Sequence, residues 1–203
     1  MKHSHTLLST LALTLTASFA LAQDEVHFSG KVENGEGVCY YCPGFDFVVD
    51  NTHTSLSSST IDLLPYVGSY CVGVGTWNGS TTSPAIEVLD ISIVPQAFSI
   101  GGNSSPGGKM SFNVQAAPGE FALVAVAYKD GYVSLGDAGC AFLAPDTLFV
   151  LGQGFTGGSG QMSIKVDLPD DPNLVGRTVF AQAAVAHFDG TVTLTNSDRK
   201  VID

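Results

Sequence analysis

Apolar residues in this chain recur at every second position in short runs, and almost nowhere at the three-and-four spacing of a helix. The stretch "VHFSGKVE" sets Val26, Phe28 and Val32 against His27, Ser29, Lys31 and Glu33. That period of two belongs to a strand with one face in a core and one in water. Most runs end at Gly, Pro, Asp or Asn, and the chain holds 23 glycines. The fold class that fits this punctuation is all-β. With 44% apolar and 13% charged residues, there is material for one large or two small cores.

Residues 1–22, "MKHSHTLLSTLALTLTASFALA", have a short basic start, an apolar run of about a dozen residues and a small-x-small end at Ala20 and Ala22, the pattern of a secretory signal peptide. The apolar run is shorter than the ~20 residues that span a bilayer, and no later stretch is long enough to anchor the chain. The expected mature protein runs from Gln23 to Asp203, lacks a transmembrane segment, and is secreted or periplasmic. It carries 7 basic and 19 acidic side chains, a net charge of −12. Nucleic acid and anionic membrane surfaces are poor partners for such a chain. Residues 23–95 hold nine acidic groups and the single Lys31, while residues 96–203 hold ten acidic and six basic groups.

After the first strand, "FDFVVD" turns Phe45, Phe47 and Val49 inward. A Ser/Thr-rich stretch, Thr52 to Thr60, leads into "IDLLPYVGSY", where Pro65 and Gly68 predict a single helical turn. "YCVGVGTW" is a strand whose Gly73 and Gly75 suit a sharply coiled backbone. In "AIEVLDISIV", Ile86 and Val88 face one way, then Ile91 and Ile93 take over past Leu89-Asp90, the phase change of a β-bulge. Five strands with a helical plug between the third and fourth follow the order of a small Greek-key barrel. Residues 26–94, and "LLPYVGSYCVGVGTWNG" in particular, resemble an OB-fold. The resemblance implies a five-stranded barrel and leaves the ligand open.

Pro95 ends the barrel, and "SIGGNSSPGGK" reads as a linker or wide turn that divides a first module, residues 23–95, from a second, residues 96–203. "FALVAVAY" and "RTVFAQAAVA" are apolar on both faces and should be central strands, with "GYVSL", "CAFL" and the others at the periphery of a two-sheet β-sandwich. The segments "GCAFLAPDTLFVLG", "LPDDPNLVGRTVFAQAAV" and "GTVTLTNSDRKVI" resemble a C-terminal β-sandwich module of exported bacterial proteins. That resemblance implies structural roles for the turn from Asp171 to Gly176 and for Gln182, and it supplies no catalytic residue.

"GVCYYCPG" places Cys39 and Cys42 three positions apart. Thioredoxin-like chemistry needs the first cysteine at a helix N-terminus, and here Pro-Gly and a strand follow. Haem attachment needs a histidine where Pro43 stands. A structural zinc site needs four ligands, and the mature histidines His27, His53 and His187 are scattered. In an oxidising compartment the remaining use is a disulfide staple. Cys39–Cys42 and Cys42–Cys71 both suit it, and Cys140 either pairs across the seam or stays buried and free. No metal or cofactor is implied. The sequence lacks G-x-S-x-G, P-loop, G-x-G-x-x-G and H-E-x-x-H motifs. His27 points outward from its strand, and His187 sits at a rim before a Phe-Asp-Gly turn. Asp167, Asp170 and Asp171 are dense enough to suggest calcium, but Asp, Pro and Asn together are also what a tight turn uses, and the turn is the expectation.

In the OB-like order, the loops "NGEGVCYYCPG" and "TWNGSTTSP" flank the binding face. They would bring Tyr40, Tyr41, Trp77 and Asn78 to one rim, where aromatic rings stack on sugars and an amide bonds hydroxyls. The competing reading is that these aromatics cap the barrel ends. The expected function is an exported, non-enzymatic binding or adhesion protein for a neutral polysaccharide or an envelope protein. The alternatives are a structural envelope module without a small ligand, and a hydrolase of unfamiliar motif.

Overall fold

The structure, a computed structural model, describes residues 25–35, 47–50, 52–78 and 84–203. The first 24 residues, which include the expected signal peptide, lie outside them, as do Cys39, Tyr40, Tyr41, Cys42 and Phe45. Strands β1 (Glu25–Asn34), β2 (Phe47–Val49), β3 (Ser55–Ser57), β4 (Tyr70–Trp77) and β5 (Ala85–Ile93) close a barrel in the order β1-β2-β3-β5-β4. Every pairing is antiparallel except β3 with β5. The alternation read in β1 holds, with Val26, Phe28 and Val32 buried. The helical turn is a 3-10 turn at Leu64–Tyr66, and Gly68 follows it at φ 82, a backbone conformation that suits glycine.

The bulge in β5 is also present. Val74 pairs with Asp90 and Gly75 with Val88, so Leu89 is the extra residue. Ile86, Val88 and Ile91 are buried across the phase change, whereas Ile93, expected to face inward, is 61% exposed. Gly75 is needed for closure, because a Cβ there would lie 2.4 Å from the Glu87 carbonyl oxygen.

Two further sheets pack face to face. β6 (Phe98–Gly102), β7 (Lys109–Gln115) and β12 (Gln161–Asp167) form one, in the order β12-β7-β6. The other runs β11-β8-β13-β14, made from β8 (Phe121–Ala127), β11 (Phe149–Phe155), β13 (Thr178–Ala186) and β14 (Val192–Leu194); β15 (Asp198–Val201) also pairs with β13. Phe98, Phe112 and Val114 from the first sheet meet Val124, Ala183 and Val185 from the second in one core. As expected, β8 and β13 are interior strands.

Two expectations change. "SIGG" is not linker: Phe98 and Ile100 are buried in β6, and the turn begins only after Gly102, whose φ of 87 and 2.3 Å approach to the Lys109 carbonyl exclude a side chain. "GYVSL" and "CAFL" do not lie at the edge of the sandwich sheets. They pair with each other as a hairpin, β9 (Asp130–Ser134) and β10 (Cys140–Leu143). Tyr132, Cys140 and Phe142 from this hairpin enter the barrel's core cluster.

Gln182 fixes the hairpin to the sandwich. It is 3% exposed; its carbonyl accepts from the Phe142 N–H at 2.9 Å, and its amide donates to the carbonyls of Cys140 and Thr195 at 3.0 and 2.7 Å. A buried amide with its groups satisfied is a structural part, which is the role the sequence resemblance implied. Among the described residues no helix is long and apolar enough to cross a membrane.

Candidate functional site

The loops expected to share one rim start from opposite ends of β1. Asn34 pairs with Phe47, so β1 hands over to β2 at the Asn34 end; Glu25 pairs with Thr76, so Trp77 and Asn78 stand at the other. The two ends are separated by the length of β1, about 30 Å at the usual strand rise. Trp77 is half-buried against the barrel core and stacks on Tyr132 at 4.9 Å between ring centres. Asn78 is tied to the backbone, its side-chain oxygen accepting from the Ala85 N–H at 3.1 Å. Among the described residues, Cys71 and Cys140 are free, buried thiols, so the Cys42–Cys71 alternative is not formed. Strand alternation explains this: Cys71 points into the barrel and Val72 points out.

The acidic turn is a turn. Asp171 accepts from both the backbone N–H and the side-chain amide of Asn173, and Asp167 pairs with Lys109 at 2.9 Å. Among the described residues, no group of three or more His, Cys, Asp or Glu is placed to hold a metal ion.

A concave surface lies beside the junction of barrel and sandwich, its larger hollow lined by residues 128–202 alone and its smaller one by both halves. Two hollows of about 640 and about 400 Å³ share Asp130 and Phe180. The barrel contributes the end of β1, Val48 of β2 and the turn carrying His53; the sandwich contributes Tyr128, Lys129, Arg177 and Arg199. The barrel turn is held by the Thr52 hydroxyl, which donates to the Val49 carbonyl at 2.7 Å and accepts from the Thr54 N–H at 3.0 Å. The His53 imidazole meets the Asp130 carboxylate across the seam. Phe180 of β13 lies opposite Arg199 of β15, which brings the two side by side in the sheet.

The groove's carboxylates are engaged while its guanidinium groups are not. Glu33 binds Lys31 and holds its ammonium above the usual value, against the smaller effect of burial. Asp130 is bound to His53, and Asp50 lies in the field of Lys31. Lys129 reaches Asp146 at 3.8 Å, an exposed pair of small strength. Arg177 and Arg199 are exposed, and their side chains have no partner among the described residues. At the lip, Tyr128 and Phe149 form an aromatic pair at 6.0 Å, 62% and 43% exposed.

A second polar array lies at the sandwich rim. Glu120, whose side chain is 7% exposed, accepts from the Ala117 N–H at 3.0 Å and meets His187 Nδ1 at 2.8 Å; His187 Nε2 reaches the Thr193 hydroxyl at 2.7 Å. Carboxylate, imidazole and hydroxyl stand in the order that activates a nucleophile. The flanking bonds, His187 N–H to Thr191 and Thr195 N–H to Ala183, turn the Thr193 N–H into the ladder with β13, away from any oxyanion. The array joins β8 to the β13–β14 hairpin.

No protein-family model matches the chain, and no curated protein matches it. Sequence reading missed Tyr128, Arg177 and Arg199 because they come from three separate segments that only sheet pairing gathers. The available signal was that six of the seven lysines and arginines beyond residue 22 come after residue 96.

Proposed function

We propose that the protein is an exported, non-enzymatic binding component, an OB-like barrel joined to a β-sandwich, that holds a polysaccharide chain or another envelope component in the seam groove. The exposed Tyr128–Phe149 pair at the lip of that groove carries the reading. Exposed aromatic faces beside polar groups are what sugar rings stack on, whereas Trp77 is already covered by Tyr132. Clefts between packed units are also common ligand sites.

The test is calorimetric titration of the purified protein with a panel of soluble polysaccharides. Losing one buried aromatic contact is worth about 1.5–3 kcal/mol, so Tyr128→Ala with Phe149→Ala should weaken binding at least about tenfold. If that double variant binds normally and Tyr40→Ala with Tyr41→Ala does not, the ligand sits on the barrel loop instead. A second reading, acyl transfer at Thr193, has the Glu120–His187–Thr193 array in its favour; ester cleavage lost in His187→Ala would support it.

A further inference from the structure

We infer that the seam groove selects an acidic polysaccharide, whose carboxylates pair with Arg177 and Arg199. This rests on the saccharide reading above and specifies its ligand class, replacing the neutral polymer expected from overall charge.

The protein is strongly acidic, yet three of its mature cations, Lys129, Arg177 and Arg199, line two adjoining hollows. Paired cations there would be unremarkable, but the local carboxylates have other partners. Glu33 is bound to Lys31 and Asp130 to His53, which leaves both guanidinium groups without one among the described residues. A guanidinium is a planar fork that matches a carboxylate with two parallel hydrogen bonds.

The spacing adds a geometric condition. Arg199 pairs with Phe180 and lines one hollow, while Arg177, one residue before β13, lines the other hollow that Phe180 shares, so the two arginines stand about 10 Å apart along the chain direction at the usual strand rise. A polymer with a carboxylate at intervals can meet both, whereas a single small anion meets one. Tyr128 lines the hollow that holds Arg177 and has Phe149 beside it, so ring faces accompany the charge there. The surrounding negative field discourages long-range capture of a polyanion, so the selection acts at contact distance and fades as salt screens it.

The experiment compares oligogalacturonate with its carboxyl-reduced neutral counterpart, using the purified protein, Arg177→Gln with Arg199→Gln, and Arg177→Lys with Arg199→Lys. Both arginines are exposed, so circular dichroism should show all three proteins folded. The acidic oligomer is expected to bind at least about tenfold tighter than the neutral one, a difference of about 1.4 kcal/mol. The glutamine variant should erase that difference and the lysine variant keep part of it. Raising NaCl from about 0.05 to about 0.5 M should narrow it. Equal binding of both oligomers, unchanged in the glutamine variant, overturns the acidic selection and leaves the saccharide reading standing. Binding of poly-glutamate with neither oligomer bound overturns both, as does no binding at all.

Discussion

Cys140 keeps its thiol inside the barrel core, donating to the Tyr132 hydroxyl at 3.2 Å. Burial pushes that thiol from 9.0 up to about 12, the Tyr132 bond pulling the other way, and burial also raises Cys71. The folded state therefore keeps a proton that the unfolded state releases first. The stability this contributes is whole below pH 9.0 and is lost as the pH rises through about 12; each unit in that window costs about 1.4 kcal/mol. Urea midpoints should fall above pH 9, more steeply for the natural protein than for Cys140→Ala, and neither thiol should react with a disulfide reagent at neutral pH until the chain unfolds. Equal alkaline slopes would remove Cys140 from the account. At this scale the sequence was half legible. The compartment suggested a disulfide partner for Cys71 and left Cys140 either paired or buried and free, and only the surrounding side chains show both thiols enclosed in a core.

Between residues and the whole, β4 and β5 show what a period can and cannot report. The phase change at Leu89 was readable because a bulge must shift the inward set by one, and the structure places it there. Gly73 and Gly75 were readable as tight coil, yet not the cause, a carbonyl of the neighbouring strand within 2.7 Å of either Cβ position. Gly75→Ala should lower stability by about 3 kcal/mol or more, at the top of the range for overpacking, in a guanidinium melt. Gly136→Ala should cost only about 1–2 kcal/mol, since φ is 62 there but no atom lies within 4 Å. Similar losses in both would mean that β4 and β5 can part. In the hairpin β9–β10, alternation in "GYVSL" and "CAFL" names a buried face without naming what buries it.

For the molecule as a whole, the seam is a shared interior. Tyr132, Cys140 and Phe142 complete the barrel core, while Gln182 binds the same hairpin to the sandwich. Trp77, the single tryptophan, stacks on Tyr132 and so reports on this junction. Its fluorescence and the far-UV circular dichroism should follow one coincident unfolding curve in urea; a separate, earlier fluorescence transition would mean that the two halves unfold independently. Pro95 and the change in strand pattern marked where the five barrel strands end and the sandwich strands begin, between β5 at Ile93 and β6 at Phe98. The dependence of the first on the second was not legible, since contacts between residues 77 and 132 leave no trace in local periodicity. The candidate groove was hidden for the same reason, as it exists only where separate strands meet. The hairpin also sets an order in time. A chain that emerges amino end first presents all five barrel strands well before residues 132 to 142 arrive to close their core. Contacts of such sequence separation form slowly, so the core that Trp77 reports on cannot be complete until the later hairpin is in place.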